Sequence, residues 1–152
     1  MVEDIEKGII EHANSYGIFK LLGIEVLESK PGRGKLRIRF REEITQPSGV
    51  AHGGIAATLA DAAVAMALLP DILPRGGDIT TIEMKINYFK PFDKGEMVAE
   101  ARIIHKGKTI AVGEVDITDG KGTPLGKALM TYRIFLPSPS PSPSPARGEG
   151  NE

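Results

Sequence analysis

The 152-residue chain contains no cysteine, which excludes disulfide bonds, zinc sites built on thiolates and catalysis by a thiol. It also lacks an excess of charge of either sign. Its formal net charge is -1, whereas nucleic-acid-binding proteins carry a strong basic excess. Its first residues, MVEDIEKGIIEHANSYG, lack the basic and apolar regions of a signal peptide. We therefore expect a cytoplasmic protein that binds neither nucleic acid nor membrane.

One folded domain is expected, because hydrophobic residues make up 41% of the chain and charged residues 26%, as in ordinary globular domains. We place this domain at residues 1–136. From Pro137 the sequence reads PSPSPSPSPARGEGNE, and alternating serine and proline form neither a helix nor a sheet ladder. Residues 137–152 are therefore predicted to be a disordered Ser/Pro-rich tail.

Alternating apolar residues predict strands along most of the domain. A short helix ending near Gly17 comes first, followed by strands at residues 24–30 and 35–41. A further strand covers residues 80–92, where Ile82, Met84 and Ile86 alternate with Thr81 and the polar residues that follow it. Three more strands follow, separated by the hairpin-like turns HKGK and TDGKG.

The segment between these strand groups predicts a buried helix. From Gly53 to Leu69 its only polar side chains are Thr58 and Asp61, and a helix that is apolar all round is a buried one. Asp61 interrupts the apolar run and Pro70 ends it, so we expect the run not to span a bilayer. The predicted fold class is α+β, with a curved antiparallel sheet of about six strands wrapped around this helix.

The start of this helix has the chemistry of an oxyanion site. Gly53 and Gly54 lie in its first turn, where backbone N–H groups have no partner within the helix and the helix dipole is positive. Such groups can hold a carbonyl oxygen that becomes an oxyanion. A glycine-rich turn without a ligand is the alternative interpretation.

Asp61 is the second candidate, because a carboxylate among alanines requires a compensating contact. It lies eight residues beyond Gly53, or about 12 Å along the same helix. A catalytic Asp61 therefore requires a second helix to supply the oxyanion site, as in a homodimer with two antiparallel central helices. An inert, hydrogen-bonded structural acid is the alternative.

The histidines give no sign of a metal site. His12, His52 and His105 have no spacing typical of metal ligands, so no metal is predicted. For His52, which directly precedes the glycines, we favour a role in positioning the loop over a role as ligand or base.

The runs HGGIAATLADAA and YFKP, and the segment HKGKTIAVGEVDITDGKGTPLGKALMTYRI, resemble the hotdog-fold acyl-CoA thioesterases. The similarity is greatest to the phenylacetate-pathway thioesterases and human thioesterase superfamily members, and it covers residues 15–136. The resemblance implies a hotdog fold, an obligate homodimer that often pairs into a homotetramer, and no cofactor, since coenzyme A is part of the substrate.

Carried over by the motif, the resemblance also implies roles for five catalytic residues. Gly53 would supply the N–H that polarises the thioester carbonyl, and Asp61 of the partner subunit would act as general base or nucleophile. His52 would orient the loop or the thioester, and Thr81 would help to place the water. Gln46 stands where relatives often have asparagine, so its longer side chain need not reach the same atom.

Four residues complete the predicted substrate site. Gly54 belongs to the glycine turn, and Lys90 follows the strand after the central helix. Lys106 and Lys108 lie in the turn where relatives often contact coenzyme A phosphates. For the lysines, ordinary surface residues are the alternative interpretation.

The predicted function is that of an acyl-CoA thioesterase, which hydrolyses a thioester to a carboxylic acid and free coenzyme A. Two other functions are possible for this sequence. A hydratase or dehydratase of the same fold would pair an acid with a histidine in a different arrangement. A non-catalytic acyl-CoA binding or sensing domain would need no acid in the central helix.

Overall fold

A computed structural model describes residues 1–139 of the chain. Its three α-helices are α1 (Val2–Ser15), α2 (Gly17–Leu22) and α3 (Gly53–Ile72), and short 3-10 helices cover Glu42–Ile44 and, as an extension of α3, Leu73–Arg75. Its six strands are β1 (Glu25–Lys30), β2 (Arg33–Arg39), β3 (Asp78–Tyr88), β4 (Glu96–Lys106), β5 (Ile110–Asp119) and β6 (Pro124–Phe135). They form one antiparallel sheet in the order β1-β2-β4-β5-β6-β3, and every strand contacts α3. The predicted α+β class and central helix are confirmed, while most of the predicted tail lies outside the described residues.

Small residues bring α3 close to the sheet. Ala60, Ala63 and Ala67 are buried where the helix lies against the strands. Opposite them in β2, a Cβ atom built on Gly34 would lie 2.1 Å from the Ala63 carbonyl oxygen, so only glycine fits. The backbone of the helix therefore rests almost directly on the backbone of the sheet.

The N-terminal segment forms two helices instead of the single short helix predicted. Tyr16 has an extended backbone (φ -125°, ψ 146°), which ends α1. Gly17 has a positive φ of 53°, which glycine adopts without strain, and the chain turns there into α2. The Asn14 side chain accepts a hydrogen bond from the Val26 N–H at 2.7 Å, so the end of α1 is tied to β1.

Helix α3 continues through Pro70, contrary to the prediction that this residue ends it. Proline lacks the N–H that would bond the carbonyl four residues earlier, that of Met66. The Ser29 hydroxyl, 1% exposed, donates to this carbonyl at 2.7 Å, and the Gly32 N–H donates to the next one, that of Ala67, at 2.8 Å. The β1–β2 hairpin thus satisfies the carbonyls near the proline.

The continued helix is longer than the run considered in the sequence. By length and composition alone residues 53–75 could cross a membrane, so Asp61 and Pro70 do not by themselves exclude a span. In the folded chain, 61% of the most apolar 18-residue stretch of this helix is buried. This is the environment of a core helix.

We expect Ser29→Ala to destabilise the protein by about 1–3 kcal/mol, because the Met66 carbonyl would be left buried without a donor. In a Pro70→Ala background residue 70 regains its N–H, which can bond this carbonyl, so the same change should cost clearly less. Urea unfolding of the four proteins at one protein concentration measures both costs as a double-mutant cycle. Equal costs in the two backgrounds would show that Ser29 does not compensate for Pro70.

A β-bulge in β3 changes which side chains face the helix. Thr81 pairs with Tyr132 and Glu83 with Thr131, so Ile82 is the extra residue between them. Strict alternation would place Thr81 on the same outer face as Glu83. Because of the bulge, Thr81 instead points inward to α3, whereas Ile82 is 52% exposed.

Strand β3 forms one edge of the sheet, and within the described residues no strand pairs with its outer side. The strand has eleven residues, and most of them are exposed. A long unpaired edge with exposed apolar side chains is normally covered by another chain or element. The face of α3 next to this edge is also left open.

Candidate active site

His52 forms the N-cap of α3. Its backbone is extended (φ -62°, ψ 136°), and its Nδ1 atom accepts a hydrogen bond from the Gly54 N–H at 2.9 Å. Because Nδ1 is the acceptor, the neutral imidazole carries its proton on Nε2. Gly54, which we also predicted to bind substrate, therefore has its amide hydrogen engaged within the chain.

The amide of Gly53 differs from that of Gly54. Among residues 1–139, no acceptor bonds the Gly53 N–H. The Tyr88 hydroxyl donates to the Gly53 carbonyl at 2.9 Å, and a Cβ atom built on Gly53 would lie 3.3 Å from the Tyr88 ring. One free N–H thus lies at the positive end of α3, on a glycine whose carbonyl is bonded by a tyrosine.

A cavity of about 320 Å³ opens at this end of the helix. Four of the predicted site residues line it together: Gln46, His52, Gly53 and Lys90. Tyr88, which the sequence analysis did not single out as a site residue, also lines it. The remaining lining is mainly apolar, and Gly53 itself is exposed at the mouth of the cavity.

Asp61 lies on the open face of α3 and is only half-buried, whereas the sequence suggested a position within the core. Its Oδ1 atom accepts hydrogen bonds from the Thr81 hydroxyl at 2.7 Å and the Tyr132 hydroxyl at 2.5 Å. Among the described residues no group bonds its Oδ2 atom. The carboxylate is therefore held through one oxygen, while the other accepts no hydrogen bond from residues 1–139.

Tyr132 is, after Tyr88, a second functional candidate that the sequence analysis missed. It is 3% exposed, and burial together with its hydrogen bond to Asp61 raises its pKa well above the ordinary value. Its hydroxyl therefore keeps its proton and serves as a donor. The alternation of β6 could have revealed it, because Tyr132 shares the inward face of Met130 and Ile134 and a buried tyrosine hydroxyl needs a partner.

Within one chain, the predicted residues fall into two separate groups. Asp61 and Thr81 do not line the cavity that contains Gly53, which is about 12 Å away along α3. Lys106 and Lys108 lie at the opposite end of this helix, where the Lys106 ammonium group pairs with the Asp71 carboxylate. A single subunit therefore does not bring the acid, the free N–H and these lysines together.

Metal ligands are not clustered in the part of the chain that the structure describes. Across residues 1–139, no group of three or more His, Asp or Glu side chains is arranged to hold a metal ion.

Comparison with known proteins shows which proteins this chain is similar to in sequence. A sequence model of the thioesterase superfamily matches residues 48–134. Human acyl-coenzyme A thioesterase 13 is 32% identical over 121 residues, which cover 78% of this chain and 85% of that protein. The 1,4-dihydroxy-2-naphthoyl-CoA hydrolase of Listeria monocytogenes is 30% identical over 103 residues, which cover 68% of this chain and 83% of that protein.

The fold is also found among solved structures. The crystal structure of a mutant thioesterase from Pseudomonas aeruginosa superimposes with a TM-score of 0.78 at 22% sequence identity. The alignment covers 86% of this chain and 94% of that one. At this identity the likeness concerns the fold of the chain, with its sheet wrapped around one helix.

Proposed function

Because the chain belongs to the thioesterase superfamily and is a thioester hydrolase of the hotdog fold, we propose that it hydrolyses acyl-CoA thioesters at sites shared by two subunits. One observation carries the proposal: the free Gly53 N–H and the oriented Asp61 carboxylate lie at separate positions on the same helix. The reaction uses only water and the substrate, and coenzyme A is the leaving group.

In the proposed mechanism the substrate carbonyl enters the cavity at the start of α3. Its oxygen accepts a hydrogen bond from the Gly53 N–H. The helix dipole stabilises the negative charge that develops on this oxygen while water attacks the carbonyl carbon. The Nε2–H of His52 is a further donor at the same entrance, since Nδ1 is engaged in the cap. The Tyr88 hydroxyl bonds the Gly53 carbonyl, which belongs to the next peptide group, and so holds the residue that carries the donor.

The base comes from the second half-site. Oδ2 of Asp61 takes a proton from water, and the water oxygen attacks the thioester carbon while Thr81 and Tyr132 hold Oδ1. The carbon–sulfur bond then breaks, and the coenzyme A thiolate leaves and takes up the proton held by Asp61. If Asp61 acts instead as nucleophile, the same oxygen attacks the thioester carbon, and the carbon–sulfur bond breaks to leave an acyl–Asp61 anhydride and the thiolate. Water then hydrolyses the anhydride, and the proton released reaches the thiolate.

Two-fold pairing would join the half-sites. With two α3 helices antiparallel and Gly53 opposite Asp61 of the partner subunit, the symmetry axis passes beside Ala57, midway between positions 53 and 61. Ala57 is small and only half-buried in the single chain, so another helix can approach there. The unpaired edge of β3 and the open face of α3 support this pairing.

The same pairing gives the distant lysines a role. In an antiparallel pair, the C-terminal end of one α3 lies beside the loop that precedes α3 in the other subunit. Lys106 and Lys108 of one subunit would then lie near the cavity of the other, where Lys90 is already present. We propose that these ammonium groups contact coenzyme A.

Mixing two inactive variants tests whether the sites are shared. Asp61→Asn and Gly53→Pro each damage both sites of a homodimer, but their heterodimer retains one site with both residues intact. After unfolding and refolding an equimolar mixture together, we expect about a quarter of wild-type activity, since half of the dimers are mixed and each has one intact site. The unmixed variants carried through the same refolding are the controls. A mixture no more active than these controls would place both residues of a site in one chain.

Release of free thiol from a panel of acyl-CoA and aryl-CoA thioesters tests the proposed activity itself. We expect release that depends on the enzyme and yields the carboxylic acid in equal amount. An absorbance change of an enoyl-CoA without thiol release would indicate a hydratase or dehydratase. Binding of acyl-CoA without turnover of any thioester would indicate a sensing domain.

A further inference from the structure

A second, larger cavity lies between the N-terminal helices and the C-terminal half of α3. Its volume is about 780 Å³, and its walls are mostly apolar, including Ile5, Ile9, Phe19, Met66, Leu69 and Leu73. Asp4, His12 and Tyr16 contribute polar atoms to the same lining. We call this cavity the apolar groove.

The helix that forms one wall of the groove leaves much of its apolar face uncovered. Helix α1 has no buried residue, although Ile9 and Ala13 pack partly against the core. Its end is fixed to β1 by the Asn14 side chain, so the groove has one anchored wall. An apolar ligand in the groove would remove this surface from water, which is the main favourable term in such binding.

The groove begins about 12 Å from the proposed catalytic carboxylate, on the same face of α3. Ala65, Leu69 and Leu73 follow Asp61 at intervals of four residues, so they lie on the same face of α3 and its extension. Leu69 is about 12 Å from Asp61 along this face. Ala65, the residue between them, is small and half-buried, so an acyl chain can pass between it and the loop of the second subunit that lies beside it in the proposed dimer.

We propose that the apolar groove binds the hydrocarbon chain of the substrate, and that the substrates are straight-chain aliphatic acyl-CoA thioesters long enough to enter it. This inference rests on the proposed thioesterase function, with the carbonyl at Asp61 and the chain running along α3. Each methylene group that enters the groove should raise kcat/KM about fourfold, until the groove is filled.

Gly8 offers a way to fill the groove without disturbing the core. It lies on the wall formed by α1, and a Cβ atom built on it would meet nothing within 4 Å. Replacing a glycine inside a helix also improves helix propensity. We expect Gly8→Trp to occupy the groove and reduce the ratio of long-chain to short-chain kcat/KM by at least tenfold.

Glu11→Trp is the matched control, because it adds the same side chain to the same helix. Glu11 is exposed and does not line the groove, so its variant should keep the wild-type dependence on chain length. The substrates are saturated acyl-CoA thioesters from butyryl to palmitoyl together with an aryl-CoA, and thermal unfolding verifies that each variant is folded.

The outcomes separate this inference from the function on which it rests. If wild type hydrolyses thioesters but kcat/KM does not rise with chain length, or if Gly8→Trp keeps the wild-type profile, the groove does not hold the acyl chain. Faster turnover of the aryl-CoA than of every aliphatic thioester would overturn the substrate class. Absence of turnover on all thioesters would remove the proposed function, and the role of the groove with it.

Discussion

Replacing Asp61 with asparagine is expected to lower kcat by about 10²- to 10⁴-fold, the range that a general base typically contributes. The amide oxygen of asparagine can still accept hydrogen bonds from Thr81 and Tyr132, so the side chain should stay in place. The amide nitrogen cannot take a proton from water, nor can it attack a thioester. Steady-state thiol release, with KM and thermal unfolding measured on the same preparation, separates lost chemistry from lost binding or folding.

A matched control is available on the outer face of the sheet. Asp116 is an exposed carboxylate in β5 that pairs with Lys127, and it has no part in either half-site. Asp116→Asn makes the same chemical change and should keep wild-type kcat. If Asp61→Asn also turned over substrate at the wild-type rate, Asp61 would be a structural acid and the mechanism would need another base.

Replacing Gly53 with proline should lower kcat by about 10²- to 10³-fold, the typical cost of losing one oxyanion donor. Proline removes the free N–H and is well tolerated at the first position of a helix. The extended backbone of His52 suits a residue that precedes proline, so the chain need not rearrange. Kinetics with one thioester at saturating concentration measures the loss.

Gly53→Ala shows how much of this effect is steric. Alanine adds the same Cβ atom, which would lie 3.3 Å from the Tyr88 ring, but it keeps the N–H. We expect the alanine variant to retain at least tenfold more activity than the proline variant. Equal losses in both would assign the effect to displacement of Tyr88, and the Gly53 amide would no longer be the proposed donor.

Most of the fold could be predicted because its signals are local. The alternation of Leu36 and Ile38 predicts a strand with one buried face, and both side chains are buried in β2. The unbroken apolar character of residues 53–69 predicts a central helix, and the turn sequences separate the strands that follow. Each of these signals lies within a window of about ten to twenty residues.

The features that were missed depend on contacts between distant parts of the chain. Pro70 stays inside α3 because Ser29, far away in sequence, bonds the carbonyl opposite it. The bulge at Ile82 is set by the pairing of β3 with β6, which one strand's sequence does not reveal. Contacts of this kind decide where a helix ends and which way a side chain points.

The candidate site was predictable in its parts and not in its arrangement. The HGG run and the single acid among residues 53–69 made Gly53 and Asp61 candidates, and the helical rise places them about 12 Å apart. The sequence did not show that His52 would engage the amide of Gly54, or that Tyr132 would bond Asp61. These details require atomic positions, because they depend on rotamers and on the curvature of the sheet.

The glycine beneath the central helix has a consequence for how this molecule can vary. At Gly34 the main chains of helix and sheet are in contact, so any larger residue would lift α3 as a rigid rod and separate Asp61 from the hydroxyls of Thr81 and Tyr132. The distance between α3 and the sheet is set by contacts between main-chain atoms, which are the same whatever the side chains. The sequences of the loops and terminal helices can therefore vary while the spacing of the reactive atoms around α3 stays fixed.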